Sequence, residues 1–566
     1  MRITIKQGPS PLAMTTRDSS DGRTPPSPRG ARAMGGAGGA QARSAEHRRG
    51  VGIALFFCCI FSVWSCGGDG ASPRSPCGEE PPDPCEADPR EDPSVVSEAC
   101  GVFARAGAEE GGEGTRQRPY GSLQEAIEKA AAEGKRVYAC AEGEAAFEES
   151  VKVEAGLEVL GSFDCAGWVL EAGKKSAIRG PADQVALTLG DGAEGARVEG
   201  FAIRAADAKQ DGGSSIGVVV ADVEAELAEV EVTAGNGKDG ARGTTPEEAP
   251  VAGASAEAGS ASNACVAENA ALGGAAGVTS CEDGETAGGR GGLGGIGETD
   301  EGNGQAGEDG GPVPEENPLG DGLGGVGQTD LSDPNGRCRQ GNNGRDGTAG
   351  PAGVGGAGMT LALTGLSGGD GDPGKTGGRG QGGGGGGGAK AGLFCKLGPD
   401  TIDGVGASGG GGGAGGCGGK GGGGGQAGGS SVGIVSLGNR LKLTGVTIAV
   451  GKGGNGGAGA AGQSGAAGGN GAAGGTASGT APSKAGCDGG KGGAGGPGGA
   501  GGGGRGGYAV GLAYAVTPSE APAVQFSAGT AGTGGNAGPG GAMENAGAPG
   551  SEGSCWDFAK RSPCGG

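Results

Sequence analysis

The sequence predicts a mostly β fold in which short stacked strands alternate with long glycine-rich excursions, and three observations support this class. Glycine recurs at every third position over long stretches, residues 114–234 hold short runs of β-branched residues, and one strand-turn-strand unit is repeated. The expected architecture is a stack of parallel coils with polyproline-II excursions bundled beside it, preceded by a disordered leader and tether.

The every-third glycines are the strongest signal. From Gly453 to Gly474, and again from Gly486 to Gly507, glycine occupies every third position without a miss. A period of three matches polyproline-II geometry, so glycine would line one edge and let neighbouring chains approach closely. Turn-like inserts at 389–403 and 476–488 separate these runs, which favours a chain that folds back into an antiparallel bundle. The alternative is a disordered glycine-rich linker.

This pattern resembles the polyglycine-II bundles of glycine-rich antifreeze proteins and of some phage adhesins. It is also similar in composition to collagen-like repeats and to the GGAGG-rich tails of mycobacterial surface proteins. With 30 prolines in 566 residues, however, the chain has too little proline for a collagen triple helix. The resemblance to the bundles implies a rigid, flat face with few large side chains, suited to binding a regular surface such as glycan or ice.

Residues 114–234 have the sequence pattern of a folded domain. The stretch 122–134 starts with a serine followed three residues later by glutamate and ends at glycine, which predicts a capped amphipathic helix. The β runs that follow are spaced too irregularly for a sandwich of hairpins and favour stacked parallel coils. Strands are predicted within 135–141, 150–163, 185–190, 196–205 and 216–234.

The motifs PYGSLQEAIEKA, KRVYAC, ESVKVEAGLEVLGSF and ARVEGFAIRA, in this order, resemble right-handed parallel β-helix proteins of the pectin-lyase-like group, including their noncatalytic modules. The resemblance implies a right-handed parallel β-helix over 114–234, capped by the helix at 122–134. It also implies an alternative function, that of a polysaccharide-active lyase or hydrolase.

An internal repeat connects this domain to the glycine-rich part. Residues 212–240 align without a gap to 428–456, and 506–512 begin a third, partial copy. Each copy has two short strands and then opens into glycine, so the economical hypothesis is that coils stack while glycine segments leave and rejoin the stack. Two independent hairpins in a flexible chain are the alternative.

The N-terminus carries the features of an export signal. Two arginines precede the apolar run 51–65, which is short for a membrane span and ends at Cys66. The four residues that end at Cys66 resemble a bacterial lipobox, which implies that Cys66 becomes the lipid-modified N-terminus. By analogy with lipoprotein sorting, Gly67 after this cysteine favours the outer membrane or cell surface. An ordinary signal peptide and a short membrane anchor are the alternatives.

Charge and composition exclude several classes of function. The formal charge is −22, and residues 1–66 carry nine basic and three acidic side chains, which leaves −28 for 67–566. This acidity argues against nucleic-acid binding. The only histidine, His47, lies in the leader, so the mature chain lacks the histidine of common protease triads and zinc sites. No cofactor or metal is predicted.

Thirteen cysteines follow Cys66, and none forms a CxxC pair, which favours disulfides over metal binding in an exported chain. The candidate pairs are Cys77 with Cys85, Cys140 with Cys165, and Cys555 with Cys564. An odd count leaves one thiol without a partner.

Acidic and basic residues of the strand domain are catalytic candidates, but they are interpreted first as turn formers because they lie beside glycines. They are Asp164, Asp183, Asp191, Asp207 and Asp211, with Arg179, Arg197 and Arg204. The segments 368–376 and 235–240 resemble calcium-binding glycine-aspartate turns, so a calcium-dependent matrix protein is a further alternative.

The resulting hypothesis is a non-enzymatic, lipid-anchored surface protein that acts as a structural or adhesive scaffold. Its partners would be the membrane, through the lipid, and a glycan or another regular surface. The predicted domains are a leader (1–66), a Pro/acid-rich tether (67–113), a β-helix domain (114–234), a glycine-rich excursion (235–427), a β-coil repeat (428–452), a glycine-triplet hairpin (453–507), a second β-coil repeat (508–527) and a glycine-rich tail with a cysteine pair (528–566).

Overall fold

The computed structural model describes residues 85–297, 300–520 and 522–564. The leader, Cys66, Cys77 and the first part of the predicted tether, 67–84, lie outside these residues. The rest of the predicted tether, 85–113, is not disordered as expected, because it contains a 3₁₀ turn at Pro93–Val95 and a strand at Gly101–Arg105. The described residues contain one α-helix, α1 (Leu123–Glu133), together with short 3₁₀ turns at Pro93–Val95, Glu268–Ala270, Asp300–Gly302, Pro334–Gly336 and Met543–Asn545.

Strands make up most of the regular structure. Those of the N-terminal half are β1 (Gly101–Arg105), β2 (Arg136–Cys140), β3 (Val151–Val153), β4 (Glu158–Phe163), β5 (Ser176–Gly180), β6 (Leu187–Leu189), β7 (Ala196–Glu199), β8 (Phe201–Ala205), β9 (Ser215–Val220), β10 (Ala225–Ala228), β11 (Glu231–Ala234), β12 (Val278–Cys281) and β13 (Gly284–Ala287). The others are β14 (Met359–Ala362), β15 (Gly365–Gly368), β16 (Gly392–Leu397), β17 (Asp400–Gly404), β18 (Ser431–Ser436), β19 (Leu441–Thr444), β20 (Thr447–Val450), β21 (Ala509–Tyr514), β22 (Gln525–Ser527), β23 (Glu552–Asp557) and β24 (Ser562–Pro563).

These strands form three mainly parallel sheets and three two-stranded hairpins. The sheets have the strand orders β1-β2-β4-β7-β10-β19, β22-β20-β11-β8-β5 and β24-β23-β21-β18-β9-β6-β3. The hairpins β12–β13, β14–β15 and β16–β17 are antiparallel and lie within the glycine-rich part of the sequence.

The predicted fold class, a right-handed parallel β-helix with polyproline-II bundle excursions, is wrong. The described residues form several mainly parallel sheets, and no closed solenoid or barrel is detected among them. The physical reason is that short, glycine-punctuated runs of β-branched residues are typical of any buried parallel strand. Such a pattern specifies strand pairing and burial, but it does not specify how sheets close.

The internal repeat determines how its copies pair. Ser431 of β18 lies opposite Ser215 of β9, and Thr447 of β20 lies opposite Glu231 of β11. The ungapped alignment of 212–240 with 428–456 has the same offset as this register. Beyond the ends of the strands, hydrogen bonds still join residues that are 216 positions apart. One example is the bond from the Asn455 amide to the Asp239 carboxylate. Equivalent positions of the two copies are therefore direct neighbours.

Helix α1 forms where the sequence predicted it. The Ser122 hydroxyl accepts a hydrogen bond from the Glu125 amide at 3.2 Å, and the helix ends at Gly134 in the left-handed conformation with φ of 65°. Leu123 and Ile127 are buried on its inner face, against a core built mainly of valine, leucine, isoleucine and alanine from the sheets. The capping residues and the apolar spacing account for the whole element.

The glycine-rich segments are ordered by backbone hydrogen bonds, and we call them together the glycine array. Along 410–428, the amide of every third residue donates to a carbonyl of 487–505, as from Gly416 to Gly493 at 2.9 Å. The same rule joins 371–389 to 407–425, and 486–507 to 454–475. Each interior segment therefore bonds to several neighbours in different directions, unlike a strand in a sheet.

The hydrogen bonds arrange the array in layers. The top layer contains 453–476, 486–507 and 339–356, and the middle layer contains 237–264, 405–430, 368–391 and 320–328. The bottom layer contains 271–277, 288–297 and 302–311. Because 405–430 bonds to segments of all three layers, it lies in the interior, and residues 405–419 are buried.

Glycine is required in the interior because the backbones are too close for a side chain. A Cβ atom on Gly412 would lie 2.0 Å from the carbonyl oxygen of Gly383, and one on Gly489 would lie 2.0 Å from that of Gly411. A real Cβ atom does not approach a backbone oxygen this closely. The every-third spacing in the sequence is thus a packing requirement.

Candidate functional site

The most regular surface of the array is the exposed part of its top layer, formed by 461–476, 485–499 and 340–352, which we call the flat face. Amides of 341–353 donate to carbonyls of 488–500, and amides of 486–498 donate to carbonyls of 463–475. The three segments therefore lie side by side in one layer. The layer beneath supports them, because amides of 487–499 also donate to carbonyls of 375–387.

Side chains point outward from the flat face at every third position. On the first segment Ser464, Ala467, Asn470 and Ala473 are exposed. On the second, Asp488, Lys491 and Pro497 are exposed, and on the third Asn343, Asp346 and Ala349. A nearly extended chain advances about 3.1–3.4 Å per residue, so the side chains repeat roughly every 9–10 Å along each row.

Short polar side chains complete the hydrogen bonding at the surface. The Asn343 side-chain oxygen accepts from the Lys491 amide at 2.9 Å, and the Asp346 carboxylate accepts from the Ala494 amide at 2.7 Å. The Asp488 carboxylate likewise accepts from the Gly474 amide at 3.0 Å. These residues satisfy outward amides that have no neighbouring segment, and they hold the three rows in register.

The chemical character of the flat face follows from these residues. Its outward side chains are mostly alanine, asparagine, aspartate, serine and proline, so they have little conformational freedom to lose on contact with a partner. The backbone beneath is fixed by hydrogen bonds at every third residue. Such a surface is preorganised for contact with another regular surface.

Three of the acidic catalytic candidates, Asp164, Asp183 and Asp207, accept hydrogen bonds from backbone amides. Asp164 accepts hydrogen bonds from the amides of Ala166, Gly167 and Val169, at 2.8, 2.9 and 3.0 Å. Asp183 accepts from the Lys209 amide at 2.9 Å.

The other candidates either have a hydrogen-bond or ion-pair partner or are exposed to solvent. Asp207 accepts from the Asn236 amide at 2.6 Å, while Asp191 and Asp211 are exposed. Arg179 pairs with Glu148, Arg204 is exposed on β8, and Arg197 pairs with Glu199. The structure brings no set of these residues together as an acid–base site within the described residues.

Acid should destabilise the turn that contains Asp164. The hydrogen bonds from the backbone amides of Gly167 and Val169 lower the pKa of the Asp164 carboxyl. A lowered folded-state pKa means that the stabilisation is present above the unfolded aspartate pKa of about 4 and is lost as the pH falls through the folded value. We expect Asp164→Asn to reduce the loss of melting temperature between pH 7 and pH 3, measured by circular dichroism.

Asp191→Asn is the matched control, because the Asp191 carboxylate makes no hydrogen bond to any described residue. It should follow the parent profile. An unchanged profile in Asp164→Asn would contradict the assignment.

The two calcium-like turns use their acids for backbone contacts. The Asp370 carboxylate accepts from the Ala427 amide at 2.7 Å, and the Asp239 carboxylate accepts from the Asn455 amide at 2.7 Å. Across 85–297, 300–520 and 522–564, no group of three or more acidic, cysteine or histidine side chains is placed to hold a metal ion.

Six disulfides include every cysteine of the described residues. The pairs Cys140–Cys165 and Cys555–Cys564 are present. Cys85 is bonded to Cys100, so its predicted pairing with Cys77 is wrong: the chain folds back within the predicted tether and brings Cys100 next to Cys85, which the spacing alone could not reveal. The sequence did not identify Cys265–Cys395, Cys281–Cys417 and Cys338–Cys487, whose members are 130, 136 and 149 residues apart.

These disulfides indicate an extracellular or otherwise oxidising environment. Within the part of the chain that the structure describes, no helix has the length and apolar character needed to cross a membrane. Comparison with known proteins found no match: no family model, no curated protein and no solved structure is significantly similar to the chain.

Proposed function

We propose that this protein is a non-enzymatic scaffold, exported and anchored by lipid at the cell surface, whose flat face adheres to a regular surface such as an ordered glycan. The observation that carries the proposal is the preorganised layer of three hydrogen-bonded segments with short side chains at every third position. Rows at fixed spacing suit a partner that is itself periodic, because many weak contacts then form together. The acidity of the chain argues against nucleic acid as that partner.

Adhesion is tested by placing a long side chain on the flat face. Ala349→Lys and Ala467→Lys each introduce one at an exposed alanine. Ala306→Lys is the matched control, because Ala306 is exposed on the bottom layer. Pull-down of the mature protein on crystalline cellulose, chitin and peptidoglycan measures binding. Lys on the flat face should weaken binding about tenfold, equivalent to about 1.4 kcal/mol, and Ala306→Lys should not.

If no insoluble glycan binds the parent protein, or if all three variants bind equally, glycan adhesion through the flat face is wrong.

The lipid anchor is a separate part of the proposal and rests on the lipobox-like sequence at Cys66. A single acyl chain binds membranes only marginally, so stable anchoring requires more than one chain. We expect Cys66→Ser to abolish metabolic labelling by a fatty acid and to move the protein from the outer-membrane to the soluble fraction. Cys77→Ser, which lies outside the lipobox, should change neither. Labelling that persists in Cys66→Ser would contradict the anchor.

A further inference from the structure

A cavity of about 760 Å³ lies among the strand sheets, far in the sequence from the flat face, and we call it the cationic cavity. Its walls come from 89–96, from Arg116, from the loop 162–175 and from residues at the ends of β7, β10 and β19. The volume is within the range of small-molecule sites in proteins. Of the catalytic candidates predicted from the sequence, Arg197 alone lines this cavity.

Basic side chains outnumber acidic ones around this cavity, in a chain whose charge after residue 66 is −28. Those that line it are Arg90, Arg116, Lys175 and Arg197, against Glu171, Glu199 and Glu229. The sign of the charge at this site is opposite to that of the protein as a whole, which favours an anionic ligand.

The carboxylates are already engaged. Glu199 is 7% exposed and lies between Arg90 and Arg197, accepting from Arg197 Nε at 3.0 Å and Nη2 at 2.6 Å. Glu229 Oε2 lies 3.6 Å from Lys175 Nζ. Two of the three acids are thus neutralised by the basic residues beside them.

Among the basic residues of the cavity lining, the Arg116 side chain has no acidic partner within the part of the chain that the structure describes. No carboxylate of the described residues lies within 4 Å of its guanidinium group, which lies over the ring of Phe103 at 5.5 Å from the centroid. Phe103 is fully buried and meets the Trp168 ring edge-on at 4.7 Å between centroids. A guanidinium group on a fixed aromatic stack keeps its donors available for a bidentate contact with a carboxylate, sulfonate or phosphate.

Three residues that line the cavity have left-handed backbone conformations although none is glycine. The φ angles are 67° for Ser162, 57° for Trp168 and 49° for Glu229. For a bulky residue such as tryptophan this conformation is a genuine outlier, and such outliers concentrate at binding sites. Hydrogen bonds from three backbone amides to Asp164 hold Trp168 and its loop in this shape.

The mouth of the cavity also has an apolar part. Val169 is 61% exposed, and Leu170 and Val96 also line the cavity. Apolar residues and an arginine in one lining suit a ligand with a charged end and an apolar or ring-containing body.

We propose that the cationic cavity binds a small amphipathic organic anion, with its acidic group on the Arg116 guanidinium and its apolar body against Val169 and Leu170. This site does not depend on the flat face or on the lipid anchor, so its test is separate from theirs.

The probe is 8-anilinonaphthalene-1-sulfonate, an aromatic sulfonate whose emission can be excited by energy transfer from a nearby tryptophan. The sequence has three tryptophans, Trp64, Trp168 and Trp556, and the first lies in the leader. In the mature protein carrying Trp556→Phe, transfer therefore reports binding near Trp168. We expect saturable binding of one dye per chain.

Arg116→Ala should weaken this binding by about tenfold to a hundredfold, because a hydrogen bond to a charged group is lost. The matched control is Arg118→Ala, an exposed arginine two residues away that pairs with Glu113 and does not line the cavity. Val169→Glu, at an exposed position, places a negative charge at the mouth and should weaken binding as strongly without depending on the stack of Phe103.

An absence of saturable binding, or equal losses in Arg116→Ala and Arg118→Ala with Val169→Glu unchanged, would overturn the proposal. A neutral dye of the same ring system, N-phenyl-1-naphthylamine, should bind at least several-fold more weakly than the sulfonate. Equal affinity of the two dyes would show that the site does not recognise an anion.

Discussion

Gly412→Ala is expected to destabilise the protein by about 3–5 kcal/mol, the range of the most damaging single substitutions. The new methyl carbon would lie 2.0 Å from the carbonyl oxygen of Gly383, in the middle layer of the glycine array. Both atoms belong to backbones that are fixed by hydrogen bonds, as from Gly383 to Gly413 at 2.9 Å, so no rotamer change can relieve the clash. The measurement is the chemical denaturation midpoint, with hydrogen exchange of amides in 371–389 and 407–425.

Gly358→Ala is the matched control. It is an exposed glycine near the end of the same kind of segment, and a Cβ atom there would meet nothing within 4 Å. It should leave the midpoint almost unchanged or raise it slightly, because alanine restricts the unfolded chain more than glycine does. If both variants unfold alike, close backbone approach is not what requires glycine in the array.

Removal of the Cys338–Cys487 disulfide, by replacing both residues with serine, should have a comparably large effect. The bond closes a loop of 149 residues and joins the start of one top-layer segment to the start of another. In the chain-entropy account, a loop of this length stabilises the folded state by about 5 kcal/mol. Both cysteines are half-buried and outside the apolar core, so little packing is lost with the sulfur atoms. Thermal unfolding and hydrogen exchange over 339–350 and 487–498 measure the change.

The control is the double replacement of Cys555 and Cys564, which are 9 residues apart. Its expected cost is about 2.6 kcal/mol on the same account. It should leave exchange in the top layer unaffected. If the short loop matters as much as the long one, or if the top layer stays protected without Cys338–Cys487, the array is held by its hydrogen bonds alone.

Local features of this protein could be predicted from the sequence because single short segments encode them. Helix α1 follows from Ser122, Glu125 and Gly134, and the strands β2–β4 and β6–β11 coincide with the predicted runs of β-branched residues. The strand β1, which lies in the predicted tether, and the strands β5, β12 and β13 were not predicted. The repeat also gave the correct register between β9 and β18. In each case the decisive residues are neighbours in sequence or occupy equivalent places in a repeat.

The arrangement of segments in space could not be predicted. The three long disulfides form only after particular glycine-rich segments have become neighbours. The sequence does not identify these neighbours, because every glycine-rich segment has nearly the same row of backbone donors and acceptors. The β16–β17 hairpin lies in the insert 389–403, for which the sequence predicted only a turn. The capping roles of Asn343 and Asp346 on the flat face depend on the adjacent segment and have no signature in their own.

The near absence of large side chains inside the glycine array has a thermodynamic consequence. Unfolding usually raises the heat capacity by about 12–15 cal/mol/K per residue, because apolar surface becomes hydrated while exposed peptide groups partly offset the gain. Residues 405–419 bury mainly backbone, so their unfolding would expose peptide groups and very little hydrocarbon. The array should therefore contribute far less than this usual heat-capacity increment. With a small heat-capacity change, the free energy of unfolding of the array would vary almost linearly with temperature and would keep rising on cooling. Cold would therefore weaken the array less than it weakens the apolar core of the sheets.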